Sequence, residues 1–487
     1  MSLKRNIGLK KYFSGSSNGI TGLLGSISSR LLFCVVVLFS GSCASWHQRI
    51  NNYQEAVAGG NFESAKQILE KDKMQARQKN QILYYLNLGY VDFMLGNYTE
   101  SNRSFELAEN LIEDQQKNVL VEAAVLISNP EARPYRPEDF EVIMINFYKA
   151  MNYLQMENTE GALVEVRKIN IKLNALNDKY PDHKNRYQRD AFAHLLMGLI
   201  FDAAGKDNDA FIAYRNAYDT YQTDYVRNFG VSAPQQLKKD LLRTAYRCGF
   251  TSELQRYEKE FNMPYSPEQA SSGGEVVFFW LNGFGPVKEQ WSISFYKKHG
   301  RDGALIFYND QYGLSFPFFI PLGTSDHERS SLADLEVLNV AFPKYMSRKP
   351  AFKSGTLSIA NKSYSFEIAE NIDEIAFKTL HDRMLREFSN ALLRLATKKA
   401  VEHIVRDKNK WLGFAVGIIN AATEVADTRN WQTLPYSISY TRAPLAAGDN
   451  QIELHFRSSE GKTLNQSLNI QSKNNQRAQF HFFHTMN

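Results

Sequence analysis

Cysteine is nearly missing: Cys34, Cys43 and Cys248 are the only three in 487 residues. Cys34 lies inside an apolar run and Cys43 just after it, which leaves Cys248 as the lone thiol of the body. An internal disulfide framework is therefore excluded. No Cys-x-x-Cys or Cys/His cluster is present to hold zinc. Cys248 reads as a small buried residue on a helix. Net charge is also scarce once its source is found. The chain carries +5, yet residues 1–43 hold Lys4, Arg5, Lys10, Lys11 and Arg30 and no acidic residue. Taking those five from the 57 basic residues leaves 52, equal to the 52 acidic ones. A neutral body has no electrostatic footprint for DNA or RNA, so no nucleic-acid partner is expected.

The usual signatures of catalysis are absent as well. There is no Gly-x-Ser-x-Gly elbow, no His-Glu-x-x-His, no P-loop, and no Gly-x-Gly-x-x-Gly after a strand. The turn Asn282-Gly283-Phe284-Gly285-Pro286 is glycine-rich but lacks a following Lys and helix start to hold phosphate. His481 and His484 fall in a strand pattern at a spacing that turns them to opposite faces, so no joint metal site is expected. Asp326-His327-Glu328-Arg329 reads as a solvated loop. These absences point away from an enzyme and from any cofactor or metal.

What is present begins with an export segment. Leu31 to Phe39 reads LLFCVVVLF, with basic residues before it and Ser40-Gly41-Ser42-Cys43 after it. That order is a secretory signal, predicted to span residues 1–42. Nine apolar residues are too few to cross a bilayer core of about 30 Å. A cysteine directly after small residues resembles the lipobox of bacterial lipoproteins, although Ser40 stands where Leu is usual. The resemblance implies that the Cys43 thiol takes a diacylglyceryl group, that palmitate is among the acyl chains of the anchor, and that Cys43 becomes the mature N-terminus. An ordinary cleaved signal with an incidental Cys43 is the other reading. Ala44 and Ser45 follow, with no aspartate, which by lipoprotein sorting rules implies the outer membrane, facing the periplasm.

Residues 43–265 form the first predicted domain, an all-α helical-repeat solenoid. Between Trp46 and Tyr135 the only prolines are Pro130 and Pro134, and apolar residues recur at helical spacing. Asn87 to Leu111 matches the tetratricopeptide pattern, with Gly89 in the first helix, Gly96-Asn97 in the turn, and Tyr98, Ser101, Phe105 and Ala108 in the second. Leu195 to Tyr218 repeats it with Gly198, Gly205, Ala210, Tyr214 and Ala217. Ala56 to Leu69 and Phe147 to Ile169 are poorer copies. The spacing is irregular, and Asn129 to Phe140 is a proline-rich break. Stacked helix pairs offer a concave face suited to a protein partner. The aromatics from Phe201 to Tyr225 read as core and groove lining, with a carbohydrate platform as the other reading.

After Ser271–Gly274 the texture changes to an α+β, strand-rich region, so the fold class is multidomain. A domain over 275–435 and a small β-rich unit over 436–487 are expected. Glu275 to Gly283 is a continuous apolar run of strand length, and Trp291 to Lys297 alternates. Gly355 to Ala369 reads as a hairpin turning at Asn361-Lys362. A long helix is predicted from about Ile372 to Val405, followed by the nearly uncharged Trp411 to Ala426, read as a buried helix.

Ala426 to Pro435 reads ADTRNWQTLP. Neither helix nor strand periodicity demands that run. With Ala162 to Asn170 and the Gly198 stretch, it resembles a family of bacterial lipoproteins of unassigned activity. Those proteins join tetratricopeptide-like helices to a C-terminal domain carrying Ala-Asp-Thr-Arg-x-Trp-x-x-Leu-Pro. The resemblance implies no catalytic residue. Asp427 and Arg429 are expected to pair in the turn with Trp431 packed as a lid; the other reading makes Arg429 and Trp431 a partner-contact patch. The function expected is a lipid-anchored envelope protein that scaffolds contacts with another envelope protein. An activator of cell-wall synthases and a periplasmic enzyme acting on glycan or lipid are the alternatives.

Overall fold

A helix leaves its last carbonyls without partners, and among the described residues this chain resolves that in the same way at five turns from one helix to the next. The computed structural model describes residues 50–71, 79–117, 133–179, 187, 189–267, 272–299, 305–318, 337–384, 426–472 and 477–486. The helices are α1 (Phe62–Lys71), α2 (Gln81–Met94), α3 (Tyr98–Lys117), α4 (Asp139–Gln155), α5 (Thr159–Lys179), α6 (Ala191–Ala203), α7 (Asp207–Thr220), α8 (Val226–Phe229), α9 (Gln235–Arg247) and α10 (Thr251–Phe261). A helical stretch ending at residue 58 precedes α1. In the α2–α3 turn the Gly96 N–H donates to Phe93 O and the Asn97 N–H to Asp92 O, the Schellman pair of bonds. The same two bonds recur at Gly60-Asn61, Glu157-Asn158, Gly205-Lys206 and Gly249-Phe250. Each first residue has a left-handed φ between 60° and 77°, Glu157 included.

The small residues of the first helices do what their spacing implied. A Cβ on Gly89 would lie 2.7 Å from the Phe105 ring, and one on Gly198 would lie 2.4 Å from Tyr214. The pairs are thus tetratricopeptide-like in turn and in packing. The fifth pair, α9–α10, was not among the four copies singled out in the sequence. Leu242 stands seven residues before its turn glycine, where the α2 and α6 hairpins carry Gly89 and Gly198, so the signature residue is missing.

Among the described residues twelve strands follow. They are β1 (Glu275–Asn282), β2 (Val287–His299), β3 (Leu305–Asn309), β4 (Leu314–Phe318), β5 (Val337–Met346), β6 (Phe352–Ile359), β7 (Lys362–Ser365), β8 (Glu367–Asn371), β9 (Ser437–Pro444), β10 (Asp449–Ser458), β11 (Thr463–Gln471) and β12 (Ala478–Thr485). They form three sheets, ordered β12-β1-β9-β8, β11-β10-β6-β7 and β4-β3-β2-β5. The β6–β7 turn is Ala360-Asn361, one residue earlier than expected, because Ile359 pairs with Lys362. Both turn residues have positive φ, 47° and 62°, as a two-residue primed turn requires. Alanine carries no signal for that conformation, which hid the register.

The first sheet is the middle layer. Even-numbered β1 residues face the second sheet: Val276, Phe278 and Trp280 share a core with Leu357, Ile452, Leu454 and Phe456. The other face meets the helices, where Phe279 packs edge-on against Phe147 and Phe192, and Phe482 stacks on Phe93. Burial on both faces is why β1 reads as an unbroken apolar run. The sheet-facing residues Tyr90, Phe93, Phe147 and Phe192 come from the first helices of three pairs, so the inner face of the array is filled by the chain's own strands. β1 also lies between β9 and β12, joined parallel to β12 over eight residue pairs. The boundary expected at 435/436 therefore does not separate two sheets. The chain divides into residues 1–55 and 56–487, and α1 to α10 and β1 to β12 all lie in the second unit.

Residues 372–384 are helical, with Ile375 and Leu380 buried. The predicted continuation to Val405, the Trp411 stretch and Asp326–Arg329 lie outside the described residues, as do the export segment and Cys43. Among the described residues no helix is long and apolar enough to cross a membrane.

Candidate functional site

The Ala426–Pro435 segment forms an irregular turn docked on the helices. Asp427 grips Arg429 with both carboxylate oxygens, at 2.8 Å from Nε and 2.6 Å from Nη2. The Arg429 Nη1 donates to Asn80 Oδ1 at 2.9 Å, and the guanidinium lies over the Tyr135 ring. The Trp431 ring is 5.7 Å from both Phe105 and Tyr148. Arg429 is 4% exposed and Trp431 1%. The expected pairing and the lid are both present in this geometry. An exposed patch is not: the Trp431 ring is buried and its Nε1 has no hydrogen-bond partner among the described residues, and the guanidinium is held by Asp427 and Asn80.

The residue that holds this turn was not singled out from the sequence. Glu141, in the first turn of α4, accepts from the Trp431 N–H at 2.7 Å through Oε1 and from the Glu138 N–H at 2.8 Å through Oε2. Tyr135 also donates to it. Glu138-x-x-Glu141 ahead of an apolar helix is the spacing of a capping box, and that was the available signal. Burial raises the Glu141 carboxyl above its ordinary range, opposed by Lys288. Glu138 beside it goes the other way. Burial alone would raise it, but the Arg383 guanidinium and the Lys288 ammonium hold it down at about 2. The salt bridges Lys288–Glu138 and Arg383–Glu138 join β2 and the 372–384 helix to the start of α4.

A second ionic knot fastens the middle sheet to the array. Arg442 of β9 donates to Asp202 Oδ2 at 2.8 Å and pairs with Glu275 of β1. Asp202 also receives Arg243 at 2.6 Å and Arg247 at 3.0 Å. Burial works against the Asp202 charge, yet Arg442, Arg243 and Arg247 keep its carboxyl far below the usual range. Neighbouring Asp240 is raised by burial despite Arg243 and Arg442.

Two more buried groups sit where sheet meets helices. His484 Nε2 lies 2.7 Å from Gly283 O, which can only accept, so Nδ1 takes the Tyr90 hydroxyl proton at 2.9 Å. Burial pushes its pKa down to about 4, and the ring is neutral. His481 lies over Phe278 on the opposite face, as the strand alternation implied. Glu370 of β8 is 2% exposed, and its Oε2 has no hydrogen-bond partner among the described residues. Burial and the nearby Asp190 carboxylate push its pKa well up. Asp190, the N-cap of α6, is held by Tyr187, Tyr225 and the Ala193 N–H. Tyr225 closes a π-helical turn, Tyr221–Tyr225, inserted after α7.

These clusters are internal and largely self-satisfied. Among the described residues no group of three or more His, Cys, Asp or Glu side chains is placed to hold a metal. A cavity of about 90 Å³ lies between the α4–α5 turn and β12, lined by Gln155, Glu157, Thr159 and Ala478–His481. That is well below the roughly 300 Å³ at which small-molecule sites begin.

No protein-family profile matches the chain, and no curated protein matches it. Solved structures overlap it loosely. MamA does so at 15% identity over 42% of this chain and 90% of its own, with a TM-score of 0.27. BtubC from P. vanneervenii covers 52% and 98% at 14% identity and 0.31. A tetratricopeptide repeat protein from Parabacteroides merdae covers 46% and 81% at 17% identity and 0.20. The helix-pair assignment rests on the five repeated turns and the glycine–aromatic contacts, not on these overlaps.

Proposed function

We propose that the chain is an exported protein, anchored by lipid on Cys43 to the periplasmic face of the outer membrane, whose body scaffolds contacts with an envelope protein. The order of basic, apolar and small residues before Cys43 supports the anchor. Three acyl chains hold a protein at a membrane where one does not. The observation that carries the scaffold reading is the helical array itself, with its inner face already filled by β1 and β12. A partner must therefore use the outer surfaces. Val164 and Ile171 lie seven residues apart on α5, so on one helix face, and are 49% and 68% exposed. The test is in-cell crosslinking of the tagged protein, wild type against Cys43→Ala. Capture of a defined envelope protein by the wild type alone supports the reading. Abundant, folded protein that captures nothing overturns it.

A further inference from the structure

An edge strand exposes a row of unpaired backbone groups, and folded proteins blunt such edges with charge, proline, bulges, short length or cover. The described residues contain six edge strands. β8 carries Glu367 and Glu370 and a register shift between Ile368 and Glu370. β7 has only four residues and contains Lys362. β4 contains Pro317, and β5 contains Pro343 and Lys344. β12 is met from the side by Gln155, whose amide donates to Phe480 O at 2.8 Å. β11 is neither short nor bulged, and among the described residues only side-chain amides, besides β10, meet its carbonyls: Gln466 donates to Ser467 O at 3.3 Å and Gln479 to Gln471 O at 3.1 Å. Its nine residues, TLNQSLNIQ, include no charge and no proline, and they pair with β10 without a register shift. Leu464, Gln466, Leu468 and Ile470 alternate with exposed Thr463, Asn465, Ser467, Asn469 and Gln471.

The order of those residues selects the occupant. About Ser467 the strand is nearly a palindrome. An antiparallel copy centred there sets Leu464 against Ile470, Asn465 against Asn469, Thr463 against Gln471, and Ser467 against itself. On the inner face Leu464 meets Ile470 and Gln466 meets Leu468; on the outer face Asn465 meets Asn469 and Thr463 meets Gln471. No charge meets a like charge, which is the condition for favourable cross-strand pairs. A twofold interface needs this self-complementarity, because each residue meets its symmetry mate.

We propose that β11 is a dimerisation edge, at which a second copy of this chain adds its own β11 antiparallel about Ser467 and joins two four-stranded sheets into one of eight. The proposal is independent of the anchor at Cys43.

The register makes it testable in the full-length protein. In a Cys248→Ser background, Ser467→Cys places two thiols directly opposite, and mild oxidation is expected to give a covalent dimer. Asn465→Cys alone is expected to stay single, because its own mate lies four residues away, about 13 Å along the strand. Asn465→Cys combined with Asn469→Cys is expected to restore the dimer. Light scattering of the detergent-solubilised wild type is expected to show two chains, and Ser467→Lys one, with unchanged circular dichroism. Three results would each overturn the proposal: a single chain in the wild type, equal crosslinking of the Asn465→Cys and Ser467→Cys variants, or a Ser467→Cys thiol that captures another protein's strand in place of a second copy.

Discussion

Phe482, in the last strand, lies stacked on Phe93 of α2, ring centroids 4.3 Å apart and planes 25° from parallel. The end of the chain thus closes a layer against which the beginning of the helical array packs. Phe279 beside it contacts Phe147 and Phe192 and is fully buried. The array and the middle sheet share one core, so they are expected to unfold together. Phe279→Ala should cost about 3–5 kcal/mol. Helical ellipticity and aromatic near-ultraviolet signals should still be lost in one denaturant transition. Two separated transitions in the wild type would contradict the shared core.

Arg442 makes a sharper case, because it is 4% exposed and serves three carboxylates. Arg442→Met leaves Asp202, Asp240 and Glu275 short of a cation. Removing one partner of a buried ion pair costs roughly 3–5 kcal/mol. The wild-type Asp202 carboxyl is held low, so its contribution is present above its ordinary value of 3.8 and lost as pH falls below it. The deficit of the variant should therefore shrink in acid. Urea midpoints at pH 7 and pH 2.5 measure it, and an equal deficit at both would contradict the account.

His484 and Glu370 give pH dependences of opposite sign. His484 falls from 6.5 to about 4 on folding, so the contribution of its neutral ring is whole above 6.5 and lost as pH drops toward 4. The change is on the order of 3 kcal/mol. His484→Gln should flatten that acid slope. Glu370 is raised well above 4.5, so its contribution is whole below 4.5 and lost as pH rises through the folded value. Glu370→Gln should raise the melting temperature relative to wild type at pH 8 and not at pH 4.5. The same offset at both pH values would place the cause in packing.

Gly198 and Tyr214 test the helix-pair packing. Gly198→Ala drives a methyl into the Tyr214 ring, and overpacking of this kind costs about 1–3 kcal/mol. In a Tyr214→Ala background the added methyl should cost far less, since the ring it meets is gone. A double-mutant cycle by thermal unfolding reads the coupling. Additive effects would contradict the contact.

Much of this was legible in the sequence where a single residue type is demanded by geometry. Gly89, Gly96, Gly198 and Gly205 marked their helix pairs because a Cβ or an ordinary φ would not fit. The run Glu275–Asn282 marked a strand buried on both faces. Asp427, Arg429 and Trp431 were recognised as unusual, but their burial depended on Asn80, Tyr135 and Glu141, more than 250 residues earlier in the chain. No local pattern encodes such a contact. The filling of the array by β1 and β12 was hidden for the same reason: strand order is decided by long-range pairing, and β12 pairs with β1 across the whole strand-rich half. The fifth helix pair escaped because Leu242 replaces the small residue.

The most direct test of the central claim is metabolic labelling with an alkyne fatty acid in the native host, followed by fractionation of the envelope. The account predicts a labelled wild type in the outer-membrane fraction and an unlabelled Cys43→Ala protein released from it. A wild type that takes up no label, or a Cys43→Ala protein that is labelled and sediments like the wild type, would contradict lipid anchoring at Cys43.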